Sequence, residues 1–393
     1  MSKADGHNEQ WKTVKLGEVG EINPSNKEPL PNQFIYIDLE SVVAGELLTE
    51  NHINKKEAPS RAQRIVYKDD VLYQTVRPYQ KNNYIHKKEG DYVASTGYAL
   101  IRCYKEYNPD FLYYKLHTYQ VESVVLGLCT GTSYPAIAPN YLKKIEISIP
   151  DLSAQRRIAA ILSAADKVIE QTRQLINKYK SIKQGMMEDL LKPKEGWKKV
   201  RLGEVVDVYD GTHQTPNYVD NGIPFYSVEN VTANEFEHTK YITEEEHQLL
   251  TSKHRIEKGD VLMTRIGSIG VCKLVNWEVN ASFYVSLALL KIKKDFDAEY
   301  LVQYSQIESF KKAVLHESLT FAYPQKINLG DINKVEMYFP YKDNKPDLTE
   351  QRRIAKILSG IDRKIEAEEK VLEKYEKMKK GLMERLLKEE KLE

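Results

Sequence analysis

The sequence predicts an α+β chain: two repeated mixed α/β domains and two long helices that pair as an antiparallel intramolecular coiled coil, with a pseudo-two-fold relation between the halves. Three observations predict it. The segment Trp11-Lys12-Thr13-Val14-Lys15-Leu16-Gly17-Glu18-Val19 recurs as Trp197-Lys198-Lys199-Val200-Arg201-Leu202-Gly203-Glu204-Val205. Gln155-Arg156-Arg157-Ile158-Ala159 returns as Gln351-Arg352-Arg353-Ile354-Ala355, and that likeness runs ungapped to Leu191 and Leu387 with 19 identities in 37 aligned positions. Along both of those stretches the apolar residues step by threes and fours, as a coiled-coil seam does. The repeat offset drifts from 186 to 196 residues, which places insertions in surface loops. A unit this long is a duplicated domain, because solenoid repeats run roughly 20–50 residues.

Taken in order, residues 1–10 form a polar tail and 11–150 the first globular domain. Strands are expected at 34–37, 98–101 and 145–149, where β-branched and aromatic residues cluster, and a helix at 109–126. Residues 151–195 are a central helix, with Asp151 or Ser153 as N-cap and Pro193 and Gly196 as its stop. Its seam reads Ile158, Ile161, Ala165, Val168, Thr172, Leu175, Tyr179, Ile182 and Met186. The second globular domain, 196–346, carries strands at 260–264 and 285–290 and a helix at 298–315. The distal helix, 347–393, is capped by Asp347 or Thr349. Its seam reads Ile354, Ile357, Ile361, Ile365, Val371, Tyr375, Met378 and Leu382, interrupted by Lys364 and Glu368. Each helix spans roughly 55 Å at 1.5 Å per residue. Neither buries its seam alone, and the matching partner is the other copy; parallel self-association into a homodimer is the alternative.

Composition narrows the class. Fifty-eight Lys and Arg oppose 57 Asp and Glu, so no whole-molecule field draws in nucleic acid or acidic membrane. Twenty-six tyrosines against nine phenylalanines favour wet interfaces, since tyrosine has a polar tip. Cys103, Cys129 and Cys272 are odd in number and scattered, which gives no disulfide framework and fits a reducing cytoplasm. No run approaches 18 apolar residues, and Met1–Gln10 lacks a signal-peptide core.

Catalytic signatures are missing. There is no Walker A loop, no G-x-G-x-x-G, no Asn/Asp-Pro-Pro-Tyr/Phe turn and no zinc-ligand spacing among the nine histidines. Pro346-Asp347 followed by Asp362-Arg363-Lys364 formally matches a loose metal-nuclease pattern. Its carboxylates fall about three helical turns apart, however, and the first repeat has Val168 in place of the lysine. A helix cap and a solvated heptad position explain it better.

Recognition chemistry is present in loops. Asp210-Gly211-Thr212-His213-Gln214-Thr215-Pro216 packs a turn glycine, hydroxyls, an imidazole and an amide together, all able to meet base edges or phosphates; a self-satisfied Asx turn is the alternative. Arg77, Tyr79, Gln80 and Lys81 follow a strand, with Arg265-Ile266-Gly267-Ser268 as the counterpart. Thr132, Ser133 and Tyr134 precede the last strand of the first domain, as Thr320, Tyr323, Gln325 and Lys326 do in the second. Segment 11–150 holds 17 basic and 16 acidic residues and 197–340 holds 16 and 20, so binding DNA requires local segregation of charge.

This order of motifs resembles the specificity subunit of type I restriction–modification systems over residues 11–390. The residues that carry the resemblance are the Trp-Lys-x-Val-[Lys/Arg]-Leu-Gly-Glu-Val openings, Asp210–Pro216, the run Gly259-Asp260-Val261-Leu262-Met263-Thr264-Arg265-Ile266-Gly267, and the two Gln-Arg-Arg-Ile-Ala-x-Ile-Leu helix heads. The first half departs from the pattern, with Glu21-Ile22-Asn23-Pro24-Ser25-Asn26-Lys27 where the Asp-Gly-Thr-His loop would be. The resemblance implies a non-catalytic, cytoplasmic DNA-recognition subunit. Two target-recognition domains each read half of a bipartite double-stranded site, across a gap set by the helices. It also implies docking of two adenine-methyltransferase subunits and two ATP-dependent restriction subunits, with S-adenosylmethionine, ATP and magnesium on those partners and no cofactor on this chain. The loop residues above, including Gly211, Thr212, His213, Thr215, Arg265 and Ser268, are the expected DNA contacts. A coiled-coil scaffold unrelated to nucleic acid and a stand-alone metal-dependent nuclease are the alternatives.

Overall fold

The computed structural model describes residues 11–319 and 322–388. The chain divides into two compact units, Met1–Arg173 with Lys370–Glu393 and Gln174–Glu369. Each unit holds one globular segment and a stretch of both long helices, Leu152–Leu190 and Leu348–Leu386. Both helices are thus shared out between the units.

In the first unit, Lys12–Lys15 pairs antiparallel with Glu146–Ile149. A four-stranded antiparallel sheet runs in the order Gly20–Ile22, Tyr98–Cys103, Val71–Gln74, Tyr84–Ile85. A second sheet has the order Asn51–Asn54, Gln33–Ile37, Tyr92–Ser95, Ala62–Val66, with its middle two strands parallel. The second unit repeats this plan. Lys198–Arg201 pairs with Glu336–Phe339. The order Val206–Asp210, Leu287–Ile292, Val261–Thr264, Cys272–Leu274 makes one sheet, and Lys240–Ile242, Ile223–Tyr226, Ser282–Phe283 the other.

The opening motif is legible residue by residue. Leu16 and Val19, like Leu202 and Val205, are fully buried. The Leu16 and Gly17 N–H groups donate to Ile145 and Lys143, as those of Leu202 and Gly203 do to Val335 and Asn333. A Cβ on Gly17 would lie 3.2 Å from the Lys143 carbonyl, and one on Gly203 2.9 Å from Asn333, so the close passage favours glycine. Glu18 and Glu204 accept the N–H of Lys15 and Arg201. Trp11 meets Phe111 and Trp197 meets Tyr300, both at 6.3 Å between ring centres.

The helix heads are equally specific. The carboxylates of Asp151 and Asp347 accept from Ala154 and Glu350 N–H as N-caps. Gln155 and Gln351 are buried, and each accepts the N–H of the residue capping a neighbouring helix, Asn108 or Asp297. Those neighbouring helices differ from expectation. The predicted 109–126 helix is two, Pro109–Leu116 and Tyr119–Gly127, and 298–315 is likewise Ala298–Tyr304 and Glu308–His316. Thr118 and Ser305 sit at the breaks, their hydroxyls bonded to the carbonyls of Lys115 and Val302. Such local bonding competes with helix continuation.

Within each unit the two helix stretches run antiparallel. In the first, Arg173 pairs with Glu376 at 2.7 Å and Lys379 pairs with Asp166. In the second, Lys180 pairs with Glu369 at 2.8 Å and Lys183 with Asp362 at 2.6 Å. The seam itself needs correction at alternate positions. Ile158, Ile354, Leu162, Ile169, Ile176 and Leu358 are buried, whereas Ile161 is 45% and Met378 52% exposed. Val168, Ile182 and Val371 are exposed too, and Leu175 and Ile357 half-buried. The inward stripe therefore runs 158, 162, 165, 169, 172, 176, 179, 183 and, on the other helix, 354, 358, 361, 365, 368, 372, 375, 379. Ile361, Tyr179 and Tyr375 remain on it, half-buried. At 161/162, 168/169 and 175/176 both neighbours are apolar, so periodicity alone does not choose between steps of three and four; the packed partner does.

Candidate nucleic-acid interface

In the second unit the loops gather around one carboxylate. The strand Val206–Asp210 ends by placing Asp210 where Oδ1 accepts from Arg265 Nη1 at 2.5 Å and Oδ2 meets His213 Nε2 at 2.7 Å. The Arg265 contact links two loops, while the His213 contact closes the Asp210–Pro216 loop on itself. Gly211 follows because a Cβ there would come within 2.6 Å of the Phe283 and Tyr284 backbone. Thr212 then bonds Phe283 O and Val285 N along that edge. The Arg265 N–H donates to Ser286 O and its carbonyl accepts from Ile327 N, while Gly267 N–H donates to Gln325 O at 2.8 Å. The sequence-predicted loops are thereby brought together. His213, Thr215, Ser268, Tyr323 and Gln325 are exposed, and Gly211, Thr212 and Lys326 half-buried. Arg265 is the correction: only 4% exposed and paired with Asp210, its guanidinium anchors the loop and is not presented to a ligand. Thr320 lies outside the described residues.

The first unit joins its two predicted loops by other means. Arg77, at φ 53°, donates its N–H to Pro135 O, and its guanidinium lies 4.2 Å over the Tyr134 ring. Tyr79, Thr132, Ser133 and Tyr134 are exposed beside it. Gln80 and Lys81 are exposed but engaged, Gln80 by Gln74 at 2.8 Å and Lys81 by Glu122 at 2.9 Å. Backbone bonds also shift the expected correspondence by two residues. Thr75 bonds Gly97 and Ile137 as Arg265 bonds Ser286 and Ile327, so Thr75 matches Arg265 and Arg77 matches Gly267. Where the Asp-Gly-Thr-His loop is missing, Asn23 takes the hub position at φ 55°. It accepts from Leu100 N–H and from Arg64, which also donates to Tyr98 O at 2.6 Å. Burial pushes the Arg64 guanidinium below its ordinary pKa, and among the described residues no carboxylate pairs with it.

Sequence reading missed a third loop at the second unit's site. Ser252, Lys253, His254 and Arg255 are all exposed, and the His254 ring stacks on Tyr209 at 3.7 Å. Lys253 and His254 line a cleft of about 260 Å³ together with Asp210, Gly211 and Thr212. The available signal is three basic residues in a row, Lys253, His254 and Arg255.

The remaining candidates dissolve into structure. Asp347 caps its helix, while Asp362 is held by Lys183 and by Gln303 at 2.8 Å. Among the described residues no group of three His, Cys, Asp or Glu is placed to hold a metal ion. The three thiols are free, and burial pushes those of Cys103 and Cys272 up to about 12. No described helix is long and apolar enough to cross a membrane.

Comparison with known proteins gives the same picture twice over. The family model for the type I restriction modification DNA specificity domain matches residues 8–180 and again 194–377. The chain is 25% identical to the type I restriction enzyme MjaVIII specificity subunit of Methanocaldococcus jannaschii, over 96% of this chain and 92% of that one. It is also 25% identical to the HindI specificity subunit of Haemophilus influenzae, over 45% of this chain and 40% of that one. Among solved structures, the S subunit of a type I restriction–modification system from M. genitalium shares the fold at TM-score 0.66 and 16% identity, covering 99% of both chains. A chain from a structure on complex assembly in a type I R-M system does so at TM-score 0.56 and 24% identity, covering 96% of this chain and 97% of that one. With both halves matched and most of its length covered, the chain belongs to the type I restriction–modification DNA specificity family and carries that domain twice.

Proposed function

We propose that this chain is the non-catalytic specificity subunit of a cytoplasmic type I complex, reading a split DNA site with one half assigned to each unit and the gap set by the paired helices. One observation carries the reading: the same sheet plan is built twice, and each copy brings its exposed polar and aromatic loops together through different contacts. Asp210 with Arg265 does this in one copy, and Arg77 with Pro135 and Tyr134 in the other. A shared scaffold with different loops suits two half-sites of different sequence. Phosphate contacts position a protein and base contacts specify the sequence, so the exposed side chains of these loops are the readers.

The partners belong to the same proposal. Two adenine-methyltransferase subunits would dock, and two ATP-dependent restriction subunits would join them, bringing S-adenosylmethionine, ATP and magnesium. A docking face is available on the helices. In the first unit, Ile161 and Val168 on one helix and Val371 and Met378 on the other are exposed at seven-residue spacing, a stripe suited to receiving partner helices.

Methylated-site mapping after co-expression with a methyltransferase subunit tests the division of labour. His213→Ala is expected to relax or abolish recognition of one half-site and leave the other unchanged. Loss of both half-sites together, with the chain still folded, counts against it.

A further inference from the structure

The second unit poses an electrostatic problem. Its globular segment, 197–340, has 16 basic against 20 acidic residues, so it carries no general attraction for a polyanion. Binding DNA there needs cations gathered locally and free of carboxylates. Around Asp210 most charges are already matched: Asp210 by Arg265 and His213, and Glu257 by Lys291 at 2.7 Å. The loop 252–255 is different. Lys253 and Arg255 are exposed, and neither is in an ion pair among the described residues; the Glu257 carboxylate that Arg255 feels is itself held by Lys291. The loop is also held in place, because its His254 stacks on Tyr209, one residue before the hub.

We infer that Lys253 and Arg255, with the Thr212 edge of the cleft, form a phosphodiester-binding site for the DNA backbone that fixes the second unit's position on the duplex. This rests on the DNA-reading proposal above and adds residues that neither the repeat nor the Asp-Gly-Thr-His motif contains. The cleft, about 260 Å³ and open to solvent, is lined by Lys253, His254 and Thr212, and Arg255 follows two residues after Lys253 on the same exposed loop. Backbone contacts of this kind carry affinity and salt dependence without base preference. A structural explanation also exists, since cations just past the helix Glu244–Leu250 favour its carbonyl end. That role would move stability and leave DNA binding at a given salt alone.

The experiment is a salt titration of binding to a duplex carrying the mapped site. It uses the full chain co-purified with a methyltransferase subunit and compares wild type with Lys253→Gln/Arg255→Gln. Each phosphate contact contributes about 0.9 to the log–log salt slope, so the double variant is expected to lose about one to two from the slope. Its affinity should fall about tenfold or more at low salt, while the methylated sequence in cells is unchanged. Lys253→Arg/Arg255→Lys should keep the slope. An unaltered slope, or a change of methylated sequence, overturns the inference. Absence of sequence-dependent binding by the wild-type complex would instead overturn the reading on which it rests.

Discussion

Asp210 shows how one side chain organises a site. Arg265 is buried to 4% exposure, and the carboxylate that meets it is half-exposed and shared with His213. Removing one partner of a buried ion pair leaves an uncompensated charge and costs about 3–5 kcal/mol. Asp210→Ala is therefore expected to destabilise the second unit by roughly 3 kcal/mol in urea unfolding of the full chain. His213→Ala, at a side chain 70% exposed, should stay within about 0.5 kcal/mol. Equal effects of the two would show that the pair is not the anchor. The contrast also explains what sequence reading could and could not see. Asp-Gly-Thr-His was visible as a cluster because its chemistry is local. The role of Arg265 was not, because its partner is 55 residues away and arginine in a loop looks the same whether it is an anchor or a reader. Asn23 escaped for a related reason: an amide in a left-handed turn carries no sign that it takes the place of a carboxylate.

At the level of elements, the helices were legible in length, caps and antiparallel sense, but one of every two seam positions was read a residue early. Ile161 and Leu162 are equally apolar, and a helix presents both to within one turn's tolerance of the partner. Burial now separates them: Leu162 is fully enclosed and Ile161 is 45% exposed. Leu162→Ala should cost about 2–5 kcal/mol as a cavity in the core, and Ile161→Ala well under 1 kcal/mol. Chemical denaturation of the two variants decides between the registers, and a reversed order would restore the seam through Ile161. The exposed ion pairs Arg173–Glu376 and Lys180–Glu369 add about 0.2–1 kcal/mol each, so they set direction and register more than strength. The strands were recognised from residue type, whereas their sheet order was not, because pairing depends on partners far along the chain.

For the molecule as a whole, the proposal turns on two helices acting as a ruler, and the corrected seam says how the ruler can be lengthened. The inward positions repeat every seven residues, so an insertion of seven at matched points in both helices keeps every apolar side chain on its stripe. An insertion of four, one turn plus about half a residue, would turn the stripe away from its partner by about 50° and locally unwind the pair. Seven residues add about 10.5 Å of helix, close to three base-pair steps at about 3.4 Å each. After co-expression with a methyltransferase subunit, the lengthened chain should methylate a site with both half-sites unaltered and about three more base pairs between them. An unchanged gap in the mapped methylation would remove the spacer role from the helices. Changed half-sites would show that the loops depend on helix length, contrary to a plan in which each unit holds its loops through its own contacts.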